Sequence, residues 1–353
     1  MSNRFSKSRM LLYSGVLTLA MSPAYADSTD VTPLVFANNY VSTGASAQIN
    51  GDTQADNYVT TGANSTVTGN IRTGAAATLG AYATVGCIDA TVGCIAADGG
   101  DILADAAVTT GAHTVVTGTV KHGYAFTLTE GVNSNIRGVG DDTYTNIDSV
   151  TFENQLVIDA QSMYKYMGTG FHLDPTMIVN TTLEPGVYSA ASLATTAGIT
   201  ITLDGAGNTG NWVFNITDIL AFGANTHIVM KNVTPDRRII WNSGGYTSIG
   251  AGAKIVGTIL AHTYVSTGEG SELTGVEGSQ STGVKPSCGG IFSATSYVSI
   301  GAQSKVGVVG CVTKSIDINA TPPAQTQTQT QTQTQTQTQT QTQTIPWWLL
   351  FSP

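Results

Sequence analysis

Charge is what this sequence has least of. Only 10% of the residues are Asp, Glu, Lys or Arg, well below the quarter usual in a globular domain. The 14 Lys and Arg are outnumbered by 23 Asp and Glu, giving a net charge of −9. With no Lys/Arg cluster to neutralise phosphates, nucleic acid is excluded as a partner. Long apolar runs are missing too. Met10 to Met21 and the segment from Ile345 to Pro353 both fall short of a bilayer-spanning length. Cysteine is scarce, with two local pairs, Cys87 with Cys94 and Cys288 with Cys311. The five His are scattered, and none lies in ligand spacing with either pair, so no metal site is expected. There is no G-x-S-x-G elbow, Walker A loop or H-E-x-x-H. Gly250-Ala251-Gly252 follows a repeat corner and lacks the third glycine of a dinucleotide loop. Asp141 and Asp142 fall in one loop and Arg237 and Arg238 in another, and neither set recurs on a strand face where it could grip a sugar. These absences point away from an enzyme, and no catalytic residue or cofactor is expected.

What the chain does have is a short phrase, repeated. Tyr40-Val-Ser-Thr-Gly44 and Tyr58-Val-Thr-Thr-Gly62 lie eighteen residues apart, as do Tyr246-Thr-Ser-Ile-Gly250 and Tyr264-Val-Ser-Thr-Gly268. Tyr297-Val-Ser-Ile-Gly301 is a further copy, and Ala76 to Gly80 and Ala107 to Gly111 are degenerate ones. A period near twenty with Gly at fixed points predicts a stacked parallel β-solenoid. Strand alternation then assigns the faces. Val41, Val59, Val265 and Val298 point inward, with Ile249 and Ile300 two residues on. Ser42, Thr60, Thr78, Thr109, Ser248, Ser266 and Ser299 point outward, flanked by Tyr40, Tyr58, Tyr246, Tyr264 and Tyr297. After the Gly corner a second strand turns Ile49, Val67, Val85, Val116, Ile255, Leu273 and Val306 inward.

Other segments differ in kind. Residues 1–26 read as a secretory signal, with Arg4, Lys7 and Arg9 before an apolar stretch and Ala24-Tyr-Ala26 as the cleavage site. The mature chain is therefore expected outside the cytoplasm, secreted or at the cell surface. There Cys87 and Cys94 are expected to close one disulfide loop, and Cys288 and Cys311 another. Residues 150–168 place Phe152, Leu156, Met163 and Met167 at helical spacing and predict one α-helix. Ile199 to Leu203, Trp212 to Ile216, Ile228 to Lys231 and Ile239 to Trp241 read as strands, the large apolar ones filling the wide part of the stack or contacting the helix. Residues 27–313 form the solenoid domain. Residues 314–344, with Gln-Thr pairs over 325–344, form an extended linker, and residues 345–353 form an apolar tail open to three readings: attachment at a cell surface or membrane interface, docking on a partner, or a degenerate sorting tail.

The order of segments carries a resemblance. Pro185-Gly-Val-Tyr188, Leu203-Asp-Gly205, Trp212-Val-Phe-Asn-Ile216, Ile240-Trp241 and Lys254 to Ala261 together resemble the microbial ice-binding protein family. The resemblance runs from about Leu34 to Val312. It implies a right-handed β-solenoid of triangular section, one long helix packed alongside, and coils stacked out of sequence order. It implies adsorption to an ice crystal through one flat Thr/Ser-rich face, by a monomer. The face it indicates is the Ser42, Thr60, Thr78, Thr109, Ser248, Ser266, Ser299 column, with Tyr58, Tyr264 and Thr263 beside it. A second face, with Thr66, Thr68, Thr84, Thr117 and Thr274, is interrupted by Lys254, Glu272 and Lys305. The alternative function is adhesion, with the tyrosine column gripping a glycan.

Overall fold

The computed structural model describes residues 33–86, 100–123, 126–139, 171–205, 210–234, 237–276 and 288–308, all within one unit, Met1–Asn319. Among them every regular element is a β-strand. Each coil carries three short strands. The first coil has Val35–Ala37, Tyr40–Thr43 and Gln48–Ile49, and the next has Thr53–Ala55, Tyr58–Thr61 and Thr66–Val67. All inter-strand pairs are parallel, coil on coil. The second strands of the coils make an 11-stranded sheet. The first and third strands join in one 21-stranded sheet, because Val115–Lys121 runs through both positions with a register shift between Val116 and Thr119.

The alternation expected from the repeat is present. Val41, Val59, Val265, Val298 and Ile49 are fully buried. Each such side chain stabilises the stack by roughly 1.5–3 kcal/mol relative to exposure. In the later coils the interior is filled by aromatics. Tyr188 stacks on Phe214 at 5.2 Å, Phe214 on Trp241 at 3.8 Å, and Phe222 meets Trp241 edge-on. The buried indoles find acceptors, with Trp212 Nε1 donating to the Leu183 carbonyl and Trp241 Nε1 to that of Val256.

The corner between second and third strands is built alike in most coils. One residue there takes the left-handed conformation: Ser46, Asn64, Tyr82, His113, Asn133, Gln303 and Asn225, each with φ between 55° and 58°. Just before it stands a glycine that no other residue can replace without moving a neighbour. A Cβ on Gly80 would sit 2.5 Å from the carbonyl carbon of Gly62 in the adjacent coil. Threonines in the inward slot tie the same corner together. Thr43, Thr61, Thr110, Thr195 and Thr267 accept, through Oγ1, the backbone N–H of Gly62, Gly80, Gly131, Gly223 and Gly301 respectively.

The coils do not stack in chain order. Val35 pairs with Thr53 on one side and with Ile291 on the other. Val41 likewise lies between Val59 and Val298, and Ile49 between Val67 and Val306. The first coil is thus clasped by the last one described, and the two halves of the chain meet in mid-stack. Asn50 Nδ2 bridges this seam to the Gly307 carbonyl at 2.9 Å. The chain leaves one end of the stack at Val139 and re-enters at the opposite end at Phe171.

On the first strands, simple alternation breaks down, because the residues turned away from the core are buried as well. Phe36 and Asn215 are 1% exposed, and Asn242, Gln54, Leu260 and Phe292 are buried. The expected helix 150–168, the signal segment, Asp141 and Asp142, the Gln-Thr linker and the apolar tail lie outside the described residues. Of the four cysteines expected in disulfides, Cys288 is disulfide-bonded. Cys87, Cys94 and Cys311 lie outside the described residues, and with Cys87 and Cys94 goes the expected loop between them.

Candidate functional site

The 11-stranded sheet carries one uninterrupted outward file. Following the register coil by coil, it reads Thr129, Thr109, Thr78, Thr60, Ser42, Ser299, Ser266, Ser248, Ala221, Ala194, Thr176. All seven Ser and Thr expected from the repeat are in it, in neighbouring positions. Every member is small, and none is charged. Thr129, Thr109, Thr78 and Thr176 are exposed and the others half-buried. Ten steps at the ladder repeat of ~4.8 Å make the file about 48 Å long. Threonine-to-glycine bonds at five of the corners, from Thr43, Thr61, Thr110, Thr195 and Thr267, tie adjacent rungs together, so the hydroxyls stand on a stiff support.

Sequence reasoning missed four members. Thr129 lies in Leu128-Thr-Glu-Gly131 and Ala221 in Leu220-Ala-Phe-Gly223, both with Gly at the repeat offset but without the leading Tyr. Ala194 precedes Thr195, which occupies the inward slot. Thr176 has no signal of its own and is placed only by pairing with Ala194.

Beside the file runs a row of rings. Tyr58 stacks on Tyr40 at 4.9 Å, Tyr40 on Tyr297 at 4.9 Å, Tyr297 on Tyr264 at 5.0 Å and Tyr264 on Tyr246 at 4.7 Å. Interplanar angles are 3° to 7°. Burial and the neighbouring phenols push the Tyr40 and Tyr264 hydroxyls above the ordinary phenol pKa. Thr263 is not in the file. It occupies the turn before Tyr264, where its N–H donates to the Gly245 carbonyl and its own carbonyl accepts the Ser293 hydroxyl. In the equivalent turn of the early coils, Asn57 Nδ2 donates to Asn39 Oδ1 at 2.6 Å.

The rival face is different in character. Gln48, Thr66 and Thr84 are in register, but Gln48 also pairs with Lys305, which leads on to Glu272 and Lys254. Glu272 bridges Lys254 at 3.6 Å and Lys305 at 3.8 Å. Charges hold their own hydration shell, which sets this face apart from the uncharged file. Among the described residues no group of three or more His, Cys, Asp or Glu could hold a metal ion.

A rigid, uncharged file of hydroxyls and methyls is what the family resemblance implies, and the family model for ice-binding-like proteins matches residues 35–285. The chain belongs to the ice-binding-like family. Among curated ice-binding relatives, it is 31% identical to ice-binding protein 1 of Shewanella frigidimarina over 134 residues, 36% of this chain. It is 36% identical to ice-binding protein K3-B1 of Typhula ishikariensis over 87 residues, 24% of this chain. The matches span 15% and 35% of those two ice-binding proteins. A solved ice-binding protein from an Arctic yeast aligns at 16% identity and a TM-score of 0.44, covering 80% of this chain and 94% of that one.

Proposed function

We propose that this protein adsorbs to ice through the file from Thr129 to Thr176. The observation that carries the reading is the file itself: eleven consecutive coils, each offering a Thr, Ser or Ala, with no charge and no break at the seam. A surface already rigid loses little conformational freedom on meeting another rigid surface. Short hydroxyls and methyls at a regular repeat order bridging water along the file, and ordered water is what a crystal face adds. On this reading the protein is a non-catalytic, monomeric adsorber that slows ice growth and recrystallisation.

The finer architecture belongs to the same proposal: a right-handed solenoid of triangular section, with residues 150–168 as a helix along the ladder of first strands. Two observations support it. The outward-alternating Phe36, Gln54, Leu260 and Phe292 on that ladder are buried. The connection from Val139 to Phe171 must also travel the length of the stack, about 48 Å. A helix over 150–168 rises about 28 Å, and its extended flanks cover the rest. The signal segment, a disulfide between Cys87 and Cys94, another between Cys288 and Cys311, and the tail fit an exported protein held near the cell.

Crystal shape under a cooled microscope tests the function. Purified protein is expected to give faceted crystals and to keep polycrystalline ice fine-grained. Round, freely growing discs at every protein concentration would sink the reading.

A further inference from the structure

We propose that the tyrosine row is a second contact row for ice, parallel to the hydroxyl file, which decides the crystal surface the face fits. This rests on the ice-adsorption reading. Each tyrosine stands two residues before a file member: Tyr40 before Ser42 and Tyr58 before Thr60 within one strand, and Tyr246 before Ser248, Tyr264 before Ser266 and Tyr297 before Ser299 at the residue that leads into the strand. Residues at that spacing share a strand face, roughly 6.7 Å apart. The two rows are therefore parallel, side by side, and advance with the same coil-to-coil repeat.

The rings are fixed in place. Tyr40, Tyr297 and Tyr264 each have a ring stacked on both sides, at 4.7–5.0 Å. That spacing with nearly parallel planes is offset stacking. A ring held from two sides gives up little freedom when it meets a partner, as the file does.

Two plainer explanations fall short. The row could be a staple across the seam, since Tyr40 belongs to the first coil and Tyr297 to the last one described. One pair would do that. The row instead continues through Tyr58 on one side and through Tyr264 and Tyr246 on the other. Nor is it sheltered as a staple would be, because Tyr58 is 42% exposed and the other four are half-buried. The second explanation is a glycan platform. Sugars stack on open ring faces, and the three inner rings have both faces covered by their neighbours. What the row turns outward is ring edges and phenol hydroxyls, one set per coil. That is the chemistry of a threonine, a carbon surface next to an O–H, on a longer side chain.

The row is also shorter than the file. Tyr58 pairs in register with Ala76, and Leu220 N–H bonds the Tyr246 carbonyl, so Ile219 follows at the other end. The central coils thus present two rows and the outer coils one. A crystal surface must match both the spacing along the rows and the distance between them, which is a stricter condition than a single file sets.

The test uses the full protein, fluorescently labelled, adsorbed to a single-crystal ice hemisphere. The wild type is compared with Tyr297→Ala in mid-row and Tyr246→Ala at its end. Tyr246 has one stacked neighbour and lies away from the seam, so its loss leaves the fold standing. Thermal melting confirms folding of each variant. The expected result is a changed or lost pattern of labelled planes and a smaller freezing-point gap in both variants. An unchanged pattern and gap in folded Tyr246→Ala and Tyr297→Ala overturns the proposal and leaves the file intact as the site. Wild-type protein that labels no plane at all instead overturns the ice-adsorption reading beneath it.

Discussion

At the scale of single residues, small groups with two tasks hold the face together. The inward threonines fill space and also accept a glycine N–H from the next coil. Thr195 Oγ1 takes the Gly223 N–H and also meets the Thr226 hydroxyl at 2.8 Å. Thr195→Val keeps the shape but strands the Gly223 N–H and leaves the buried Thr226 hydroxyl only a long 3.5 Å bond to the Thr196 carbonyl, and we expect a loss of about 1–3 kcal/mol in chemical denaturation. Asp52 gives a prediction in pH. Its Oδ1 accepts the Asn70 N–H at 2.7 Å, and Asn70 does the same for Asp101 one coil on, at 3.0 Å. An amide therefore serves this position as well as a carboxylate does. Burial raises the Asp52 pKa, against the opposing pull of the Asn70 hydrogen bond and of Arg72. A carboxyl with a raised folded pKa contributes stability below its unfolded pKa and loses it as pH climbs through the folded value. Asp52→Asn should therefore raise the melting temperature at neutral pH, with the gain gone below the unfolded pKa of about 3.9. Melts at the two pH values check this, and a destabilised variant at neutral pH would refute it.

At the scale of elements, the chain relies on different fillings in its two halves. The early coils pack Val, Ile and Ala, while the later ones stack Tyr188, Phe214 and Trp241. Phe214 lies between the other two rings, so Phe214→Ala opens a cavity that they cannot close. A cost of about 3–5 kcal/mol is expected, read as a lowered denaturation midpoint. The repeat phrase made most of this scale legible in the sequence. Tyr40-Val-Ser-Thr-Gly44 and its copies revealed strand, inward slot, outward slot and corner at once, and Ile199 to Leu203 and Trp212 to Ile216 announced themselves by alternation and bulk. Legibility ended where the phrase decayed. Leu193-Ala-Thr195 and Pro175-Thr-Met177 occupy the same ladder, yet only pairing with neighbours shows it. The corner residues were hidden for a related reason. Asn64, Asn133, Asn225, Gly198, Gly252 and Gly270 are of types that favour a left-handed turn, but the stack enforces the same turn on Ser46, Tyr82, His113 and Gln303, where residue type gives no signal. The burial of Phe36 and Asn242, on the side facing away from the core, depends on what lies over the ladder, and strand alternation says nothing of that.

At the scale of the molecule, the seam is what makes eleven coils into one surface. Neither half alone carries the whole file. Ser42 from the first coil and Ser299 from the last one described are adjacent rungs, and the register passes between them without a step. Without that pairing the two halves would present two shorter files. Joined, they give a single uncharged strip about 48 Å long, while Lys254, Glu272 and Lys305 keep another side wet and charged. The decisive measurement is the freezing-point gap of the wild type beside three bulky substitutions, Thr60→Tyr and Ser266→Tyr within the file and Thr66→Tyr on the other ladder. The gap is expected to collapse in the first two, with melting temperatures held, and to survive in the third. A gap that persists in Thr60→Tyr and Ser266→Tyr, or vanishes only in Thr66→Tyr, would contradict ice adsorption through the file.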